Sequence, residues 1–372
     1  MTDIASGAAP ATRTSRPPPR GEAGAIGWLR KNLFGGVGDG LTTIVLLALL
    51  VWGLWGFVEW AVVNANFSAK SGPECTANSP GGACWAFVRD KYRLIFFGTF
   101  PFEQHWRPLF ACIALFAMLI ASCDRRFWNW RLAVIWLAGS GVALTLMFGG
   151  VFGLSFVETS SWGGLPVTLI LATYGLAFAF PLGILAALGR RSKLPLIKSL
   201  CVGYIELIRG VPLISLLIMA SVMLPLFLPS GFTIDKFLRA LVAVVLFAGA
   251  YIAEIVRGGL QAIPKGQYEA ADALGLGYAR KTFFIVLPQA LQVVIPPLVN
   301  TFVGFFKDTS LVLIIGIFDL LNAGEQAIVD RNWSGFANEI HVFLAMVYFV
   351  MCFAMSRYSK YLERELNKGV RR

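Results

Sequence analysis

The stretch Glu269-Ala270-Ala271-Asp272-Ala273-Leu274-Gly275 separates two long apolar runs, residues 237–256 and residues 284–318. Each run is long enough to cross a membrane, which takes roughly 20 apolar residues. The charged and turn residues between the runs are too polar for the hydrocarbon interior. We therefore expect this stretch to lie at a membrane face, with a membrane-spanning helix on either side of it.

The local sequence also predicts the shape of this stretch. Tyr268–Leu274 is expected to form a short helix rich in small residues, and Gly275 and Gly277 are expected to end it in a sharp turn. A second short helix is expected over Tyr278–Phe284. Pro288 suits the start of the next membrane helix, because its missing N–H costs little there. The alanines let a partner's backbone approach closely, so the sequence predicts a protruding knob that fits a groove in another protein.

The composition is that of a membrane protein. Of the 372 residues, 57% are hydrophobic and 14% are charged, whereas about a quarter of a soluble domain is charged. The formal net charge of +11 could indicate nucleic-acid binding. However, the basic residues fall between apolar runs rather than along one stripe, so anchoring at the inner membrane face explains them and no nucleic-acid partner is predicted.

Eight apolar segments are predicted to cross the membrane, so the expected fold class is all-α integral membrane. The fifth segment contains Gly210 and Pro212, which are expected to break its helix. The predicted spans are residues 43–63, 108–122, 132–152, 165–188, 199–228, 237–256, 284–318 and 340–355.

Lysine and arginine counts predict the orientation of these spans. With the N-terminus inside, the cytoplasmic segments hold 22 Lys and Arg residues and the outside segments hold 7. Such an excess marks the cytoplasmic side of a membrane protein. We therefore expect a multi-pass membrane protein with both termini in the cytoplasm. The Glu269 stretch is then also cytoplasmic.

The spacing around this stretch resembles the EAA loop of ABC importer permeases. Glu-Ala-Ala is followed after three residues by Gly, after nine more by Ile, and after one more by Leu-Pro. In that family the loop is a coupling helix that docks on the ATP-binding subunit. An ordinary amphipathic linker would need the same spacing by chance. The resemblance implies ATPase coupling through Glu269, Ala270, Ala271, Gly275, Gly277, Leu287 and Pro288.

Further segments are similar to polar amino acid uptake permeases. They are residues 206–213 (Glu-Leu-Ile-Arg-Gly-Val-Pro-Leu), 250–259, 263–269 and 307–311. The core unit of that family has five spans, as in type I importers, and this chain carries three more spans before it. The longer form resembles the permeases of general L-amino acid systems.

The predicted organisation has four parts. They are a disordered cytoplasmic tail at 1–38, a three-span extension at 39–160 with a long periplasmic loop at 64–107, a permease core at 161–361 with the coupling loop at 258–283, and a basic cytoplasmic tail at 362–372.

Charged residues inside predicted spans are candidates for the translocation pathway, because a charge at mid-membrane costs roughly 2.5–3.5 kcal/mol on insertion scales. Glu206 and Arg209 lie three residues apart and share one helix face. The first interpretation is an internal ion pair that stiffens the bundle. The second is a substrate site, with Arg209 at the carboxylate of an amino acid and Glu206 at its ammonium group. Glu254 and Arg257 are expected to support the coupling loop by packing.

A second set of candidates lies in the seventh span. Lys307 and Asp308 are adjacent and point about 100° apart on a helix, so they cannot both face lipid without a large cost in free energy. A kink is expected at Pro296-Pro297, one turn before Asn300. With Thr309, these residues either line the pathway or its gate, or form a buried structural network. The sequence leaves both interpretations open.

Cysteine and histidine usage gives no metal site. Cys75 and Cys84 share the outer loop, where a disulfide and two free thiols are equally open. Only two histidines occur, His105 and His341.

The chain has no Gly-x-x-x-x-Gly-Lys-[Ser/Thr] loop, so an ATP-driven importer needs a separate ATPase subunit. No cofactor and no enzymatic machinery are predicted, and we expect a transport subunit.

The resemblance implies a permease of a bacterial cytoplasmic (inner) membrane that forms half of a translocation pathway for polar or general L-amino acids. The implied partners are two ATPase subunits, a second permease (a paralogue or a second copy), a periplasmic amino acid-binding protein and membrane lipid. The competing function is an ion-gradient-driven carrier or channel that uses Glu206, Arg209, Lys307 and Asp308 as a relay. A third is a membrane-embedded regulator that docks an ATPase without transporting.

Overall fold

The structure is a computed structural model that describes residues 25–229 and 231–367. The chain separates into two compact units, and their described parts are residues 25–65 with 79–83, and residues 66–78, 84–229 and 231–367. Regular structure in the described residues is helical apart from one pair of two-residue strands. The predicted all-α class is therefore confirmed.

The smaller unit consists of two helices. Helix α1 covers Ala25–Leu33, and α2 covers Val37–Val58 and continues into a π-helical turn at Glu59–Val63. No residue of α2 is buried, although the helix is apolar along most of its length, which fits a helix surrounded by lipid. The predicted disordered tail lies outside the described residues up to residue 24. Residues 25–33 are helical instead, because apolar and basic residues alternate there at helical spacing.

The larger unit holds the remaining α-helices and both strands. They are α3 (Gly72–Asn78), α4 (Trp85–Phe97), α5 (Trp106–Cys123), α6 (Trp130–Phe148), β1 (Gly163–Gly164), α7 (Leu165–Arg190), α8 (Pro195–Arg209), α9 (Leu213–Ile218), α10 (Lys236–Ala262), α11 (Lys265–Ala273), α12 (Tyr278–Arg280), α13 (Leu287–Asp308), β2 (Phe318–Asp319), α14 (Leu320–Ile328) and α15 (Ala337–Asn367).

Seven helical segments of the described chain are long and apolar enough to span a membrane, and a bent pair of helices raises the number to eight. The pair is α8 and the segment Leu213–Phe227 that begins with α9; they meet at an angle of 107°. The predicted break at Gly210 and Pro212 lies at this bend, where Pro212 has no N–H to continue the helix. The fifth predicted span is therefore two steeply angled helices rather than one rod.

The core of the larger unit lies where α7 packs against α10. Both helices run in the same direction, since Gly175 lies against Val244 and Gly183 lies against Ile252. A Cβ atom on Gly183 would come within 2.6 Å of Ile252 Cγ2, so only glycine permits this approach. Small residues allow such close helix packing in membranes.

Because α7 and α10 are parallel, the larger unit has two distinct ends. The C-terminal ends of α7 and α10 lie at one end, which carries the loop of residues 258–283; we call it the loop end. At their N-terminal ends, β1 pairs in parallel with β2, with Gly163 opposite Phe318 and Gly164 opposite Asp319. We call this the cap end.

At the cap end, part of the predicted outer loop of residues 64–107 is folded. Helix α4 packs against α14 and the start of α15. The ring of Phe87 stacks on Trp333 at 5.5 Å, the Trp333 indole N–H donates to Asp90 at 3.0 Å, and Lys91 pairs with Asp330 at 2.6 Å. Helices of 7 and 13 residues are too short to be recognised as spans, and for that reason the sequence predicted only a loop.

The cap end also contains the two cysteines of interest. Cys75 and Cys84 form a disulfide with an S–S distance of 1.98 Å and a Cα–Cα distance of 6.2 Å. The backbone N–H of Cys84 donates to the buried carboxylate of Glu339 at 2.9 Å. At the other terminus, residues 362–367 continue α15, and the rest of the predicted basic tail, residues 368–372, lies outside the described residues.

Candidate functional site: the loop between α10 and α13

The first half of the loop is a short helix closed by a glycine cap. Helix α11 ends at Ala273, and Gly275 adopts a φ of +70°. The N–H of Leu276 donates to the Ala271 carbonyl at 3.1 Å and that of Gly275 to the Asp272 carbonyl at 2.9 Å. This pair of bonds satisfies the last carbonyls of α11, and glycine adopts the left-handed conformation without strain. The predicted helix and turn are thus present, although the helix starts three residues earlier, at Lys265.

The second half differs from the prediction of a separate short helix. Residues 278–308 are helical without a break, with a π-helical segment at Lys281–Val286 between α12 and α13. Pro288 lies in the first turn of α13, as expected. Its ring removes the N–H that would bond to the Phe284 carbonyl, and the wider π turns lie directly before it. The loop therefore passes rigidly into α13.

Two sets of contacts brace the loop from behind. The Tyr268 hydroxyl donates to the Leu260 carbonyl at 3.1 Å, and Arg191 Nη1 donates to the same carbonyl and to the Tyr268 hydroxyl, each at 3.1 Å. Lys281 Nζ pairs with Asp272 at 2.5 Å. The first set ties α11 to the ends of α7 and α10, and the second ties α11 to the helix that becomes α13.

The outer surface of the loop is exposed and partly apolar. Glu269, Ala270, Gly275 and Gly277 are exposed, whereas Ala271 is only 1% exposed and faces the bundle. The sequence predicted that all three alanines face a partner protein, and Ala271 differs from that prediction. Leu287 is also buried, while Pro288 is exposed.

Two apolar side chains at the tip were not predicted as part of the site. Leu274 is 77% exposed and Tyr278 is 65% exposed. They flank the Gly275 turn. Their position beside this predicted turn was the feature of the sequence that could have identified them. Large apolar side chains exposed on a polar loop mark a surface for a partner.

A network of charges lies behind the loop, and it differs from the predicted internal pair. Glu206 pairs with Arg190 at 2.8 Å rather than with Arg209. Glu254 contacts three arginines: Arg257, with Nε at 2.9 Å, Arg190 at 3.5 Å and Arg209 at 3.8 Å.

The network joins α7, α8 and α10. Arg209 also lies over the Tyr251 ring at 5.6 Å. Arg190 was missed because an ion pair between two different helices leaves no spacing signal in the sequence. The carboxylates hold the arginines of neighbouring helices, so the geometry favours a structural role for Glu206 over contact with a substrate ammonium group.

The seventh-span candidates are spread over different surfaces. Asn300 and Lys307 are exposed, Asp308 is half-buried and Thr309 is buried. The Thr309 hydroxyl donates to the Phe306 carbonyl in the last turn of α13 at 2.8 Å. In the described chain, no ion pair links Lys307 or Asp308 to the Glu254 network. The structure thus separates the two sets of candidates.

Within the described residues, no group of three or more His, Cys, Asp or Glu side chains is arranged to hold a metal ion. The loop instead presents a small, rigid and partly apolar surface with fixed backbone geometry. Such a surface is suited to contact with a protein. Together, the helical bundle and the loop define the protein as a polytopic membrane protein with an exposed, partly apolar loop at one end.

Comparison with known proteins gives the particular family. Residues 179–368 match the family described as the binding-protein-dependent transport system inner membrane component. The chain is 46% identical over 365 residues to the inner membrane amino-acid ABC transporter permease protein YhdY of Escherichia coli K12, covering 95% of this chain and 96% of that protein.

A second long relative is the glutamate/glutamine/aspartate/asparagine transport system permease protein BztC of Rhodobacter capsulatus. It is 37% identical over 425 residues, covering 96% of this chain and 97% of that protein. A solved amino acid ABC transporter with histidines is 32% identical over 54% of this chain and 92% of its own, with a TM-score of 0.49.

The chain belongs to the family of binding-protein-dependent transport system inner membrane components. It is a permease subunit of the ABC type in the inner membrane, and the prediction of a transport subunit rather than an enzyme is confirmed. Both long relatives align over nearly the whole chain, so the extension before the core is common to all three proteins.

Proposed function

We propose that the chain is one half of the translocation pathway of an ATP-driven amino acid importer, and that the loop of residues 258–283 docks on the ATPase. One observation carries the proposal: Leu274 and Tyr278 are exposed at the tip of a loop that is braced from behind by Tyr268 and Arg191. An exposed apolar tip supplies binding area. The contacts of Tyr268 and Arg191 would pass force from the loop to the helices.

The contacts support a route for that force. Displacement of α11 would act on α7 and α10 through the Arg191–Tyr268–Leu260 contacts. It would act on α13 through the Asp272–Lys281 pair and the unbroken helix that follows. Tilting of these helices would open the pathway alternately to the two sides. In this proposal the loop end and both termini face the cytoplasm, as the excess of Lys and Arg favours.

The relatives support amino acids as the substrate class, since both names specify amino acid transport and the Rhodobacter protein's name specifies two acidic amino acids and their amides. We propose that a second permease, a paralogue or a second copy, completes the pathway. Two ATPase subunits and a periplasmic binding protein would complete the system. Exposed Asn300 and Lys307, with Asp308 beside them, are the proposed lining residues.

The ion-gradient-driven carrier gains no support, because the family to which the chain belongs depends on a binding protein. A carrier would also have no use for a braced docking loop.

The test is Gly275→Trp, with uptake of radiolabelled amino acid and co-purification of the ATPase as measurements. Nothing lies within 4 Å of a Cβ atom at Gly275. The substitution strains the turn, because the φ of Gly275 is +70°. It places a bulky ring on the proposed docking surface without a clash inside the protein. We expect loss of both uptake and ATPase binding.

Gly335→Trp is the matched control. Gly335 also has a positive φ, of +100°, and open space around its Cβ position, but it lies at the cap end. We expect it to retain the ATPase. Uptake that persists in Gly275→Trp after the ATPase is lost would overturn the proposal.

A further inference from the structure

One face of α15 carries an exposed stripe that changes from apolar to basic along the helix. Met346, Val350 and Phe353 are exposed, and Arg357, Lys360 and Arg364 follow them. The successive spacings are four, three, four, three and four residues, which keeps all six side chains on one helix face. A single surface therefore continues from hydrocarbon-like side chains into a cluster of three cations.

The basic part of the stripe forms a cleft of about 380 Å³ lined by Arg357, Lys360, Tyr361, Arg364 and Glu365. Arg357, Lys360 and Arg364 take part in none of the ion pairs found between the described residues. Arg357 lies 6.0 Å from the ring of Phe353, at the junction of the two halves. With one acid among the five lining residues, the cleft is positive overall.

Neighbouring residues place this junction at the edge of the membrane. The Tyr358 hydroxyl donates to the Cys123 carbonyl at 3.2 Å, so this part of α15 lies level with the turn between α5 and α6. That turn carries exposed Trp128 and Trp130, and tryptophan is enriched where the acyl chains meet the headgroups. The apolar half of the stripe then faces acyl chains, and the basic half faces headgroups.

A further cation comes from the same turn. Arg125 lies close enough to Tyr358 to act on it electrostatically, and its guanidinium lies 5.8 Å from the Trp128 ring. Arg125 thus adds a cation at the same level of the membrane edge, beside the Trp128 ring. Basic pockets beside membrane helices bind phosphorylated headgroups, and each nearby Lys or Arg adds about 1 kcal/mol of attraction to an anionic surface.

We propose that this stripe is a binding site for one anionic phospholipid, whose phosphate lies among Arg357, Lys360 and Arg364 while an acyl chain lies along Phe353, Val350 and Met346. From Arg357 to Met346 the helix rises about 16 Å, which is comparable to the length of an acyl chain. A protein partner on this face would have to supply acidic side chains next to an apolar strip. A single phospholipid supplies both chemistries.

The test is native mass spectrometry of the purified full chain from nanodiscs that contain equal amounts of phosphatidylglycerol and phosphatidylcholine. We expect the wild type to retain phosphatidylglycerol over phosphatidylcholine by at least about tenfold. The triple variant Arg357→Gln/Lys360→Gln/Arg364→Gln is expected to lose that preference. A variant Lys193→Gln/Lys198→Gln/Lys265→Gln removes the same charge from exposed positions off the stripe and should keep it.

Two measurements distinguish the lipid from other sources. Glycerol phosphate, which has the headgroup chemistry without acyl chains, should not displace the bound lipid at equal concentration. Phe353→Ser should weaken retention of phosphatidylglycerol several-fold while the protein remains folded by circular dichroism. Equal retention by the wild type and the triple variant, displacement by glycerol phosphate, or a second protein chain covering the stripe in the assembled complex would each overturn the proposal.

Discussion

The two ends of the larger unit are stabilised in different ways. At the cap end, α4 is joined to α14 and α15 by buried rings and short polar contacts around Phe87, Trp333 and Glu339, and a disulfide ties the start of α4 to α3. At the loop end, the helices meet through a partly exposed network in which Glu254 is shared among three arginines. Tightly packed aromatic contacts have one best arrangement. Shared ion pairs can exchange partners when helices tilt. From this comparison we propose that the cap end stays fixed and that the loop end is the part that moves.

The largest expected effect comes from disrupting the cap end. Phe87 of α4 is fully buried and stacks on Trp333, so Phe87→Ala should lower the free energy of unfolding by about 3–5 kcal/mol through the cavity it leaves. Phe67→Ala, at an exposed ring in the same region, is the control and should change stability by less than about 0.5 kcal/mol. Thermal unfolding in detergent measures both. If Phe87→Ala abolishes ATPase binding while the protein stays folded, the cap end and the loop end do not act independently, and the comparison is contradicted.

A smaller effect is expected at the loop end. Glu254 is 23% exposed and contacts three arginines, whereas Glu206 is 56% exposed and contacts Arg190. Glu254→Gln leaves three cations under-compensated and should cost about 2 kcal/mol, because breaking a partly buried network leaves charges unpaired. Glu206→Gln should cost less than about 1 kcal/mol.

A second measurement distinguishes the Glu254 and Glu206 variants more clearly. It is the ratio of ATP hydrolysed to amino acid transported in reconstituted vesicles. Glu254→Gln should raise this ratio more than Glu206→Gln, and Glu254→Asp should partly restore it. Equal ratios in the two glutamine variants would remove Glu254 from the moving part of the bundle.

The smallest expected effect is the pH dependence of the cap end. The Lys91 ammonium, followed by the Asn332 N–H, lowers the pKa of Asp330 below its ordinary value. A carboxylate with a lowered pKa in the folded state stabilises the fold above its unfolded pKa of about 3.9, and this contribution is lost as the pH falls through the lower folded value. The Tm of the wild type should therefore exceed that of Asp330→Asn near neutral pH. The difference should shrink below about pH 4, and a constant difference across that range would exclude this ion pair as its cause.

The sequence was sufficient to predict the features that depend on local pattern. The span count follows from long apolar runs, the bend after α8 follows from Gly210 and Pro212, and the cap of α11 follows from Gly275. The features that depend on contacts between distant residues were missed. Arg190 and Glu206 lie 16 residues apart on different helices, and the folded cap is built from short helices whose partners lie more than 200 residues along the chain.

The candidate site shows the same division. The spacing from Glu269 to Pro288 gave the family and the position of the loop. It did not show that Ala271 faces inward or that Leu274 and Tyr278 form the exposed tip. Which way a residue of α11 faces depends on how α11 packs against the segment Lys281–Val286 and on the hydrogen bonds of Tyr268 and Arg191 to the Leu260 carbonyl, rather than on the motif itself.

The central claim is that the loop end, and not the cap end, contacts the ATPase. A photo-crosslinking amino acid can be placed at Tyr278 on the loop and at Phe67 at the cap end, both exposed aromatic positions, in the complex assembled in its native membrane. We predict a crosslinked product with the ATPase from position 278 and none from position 67. A product from position 67, or none from position 278 in a complex that still retains its ATPase, would contradict the account.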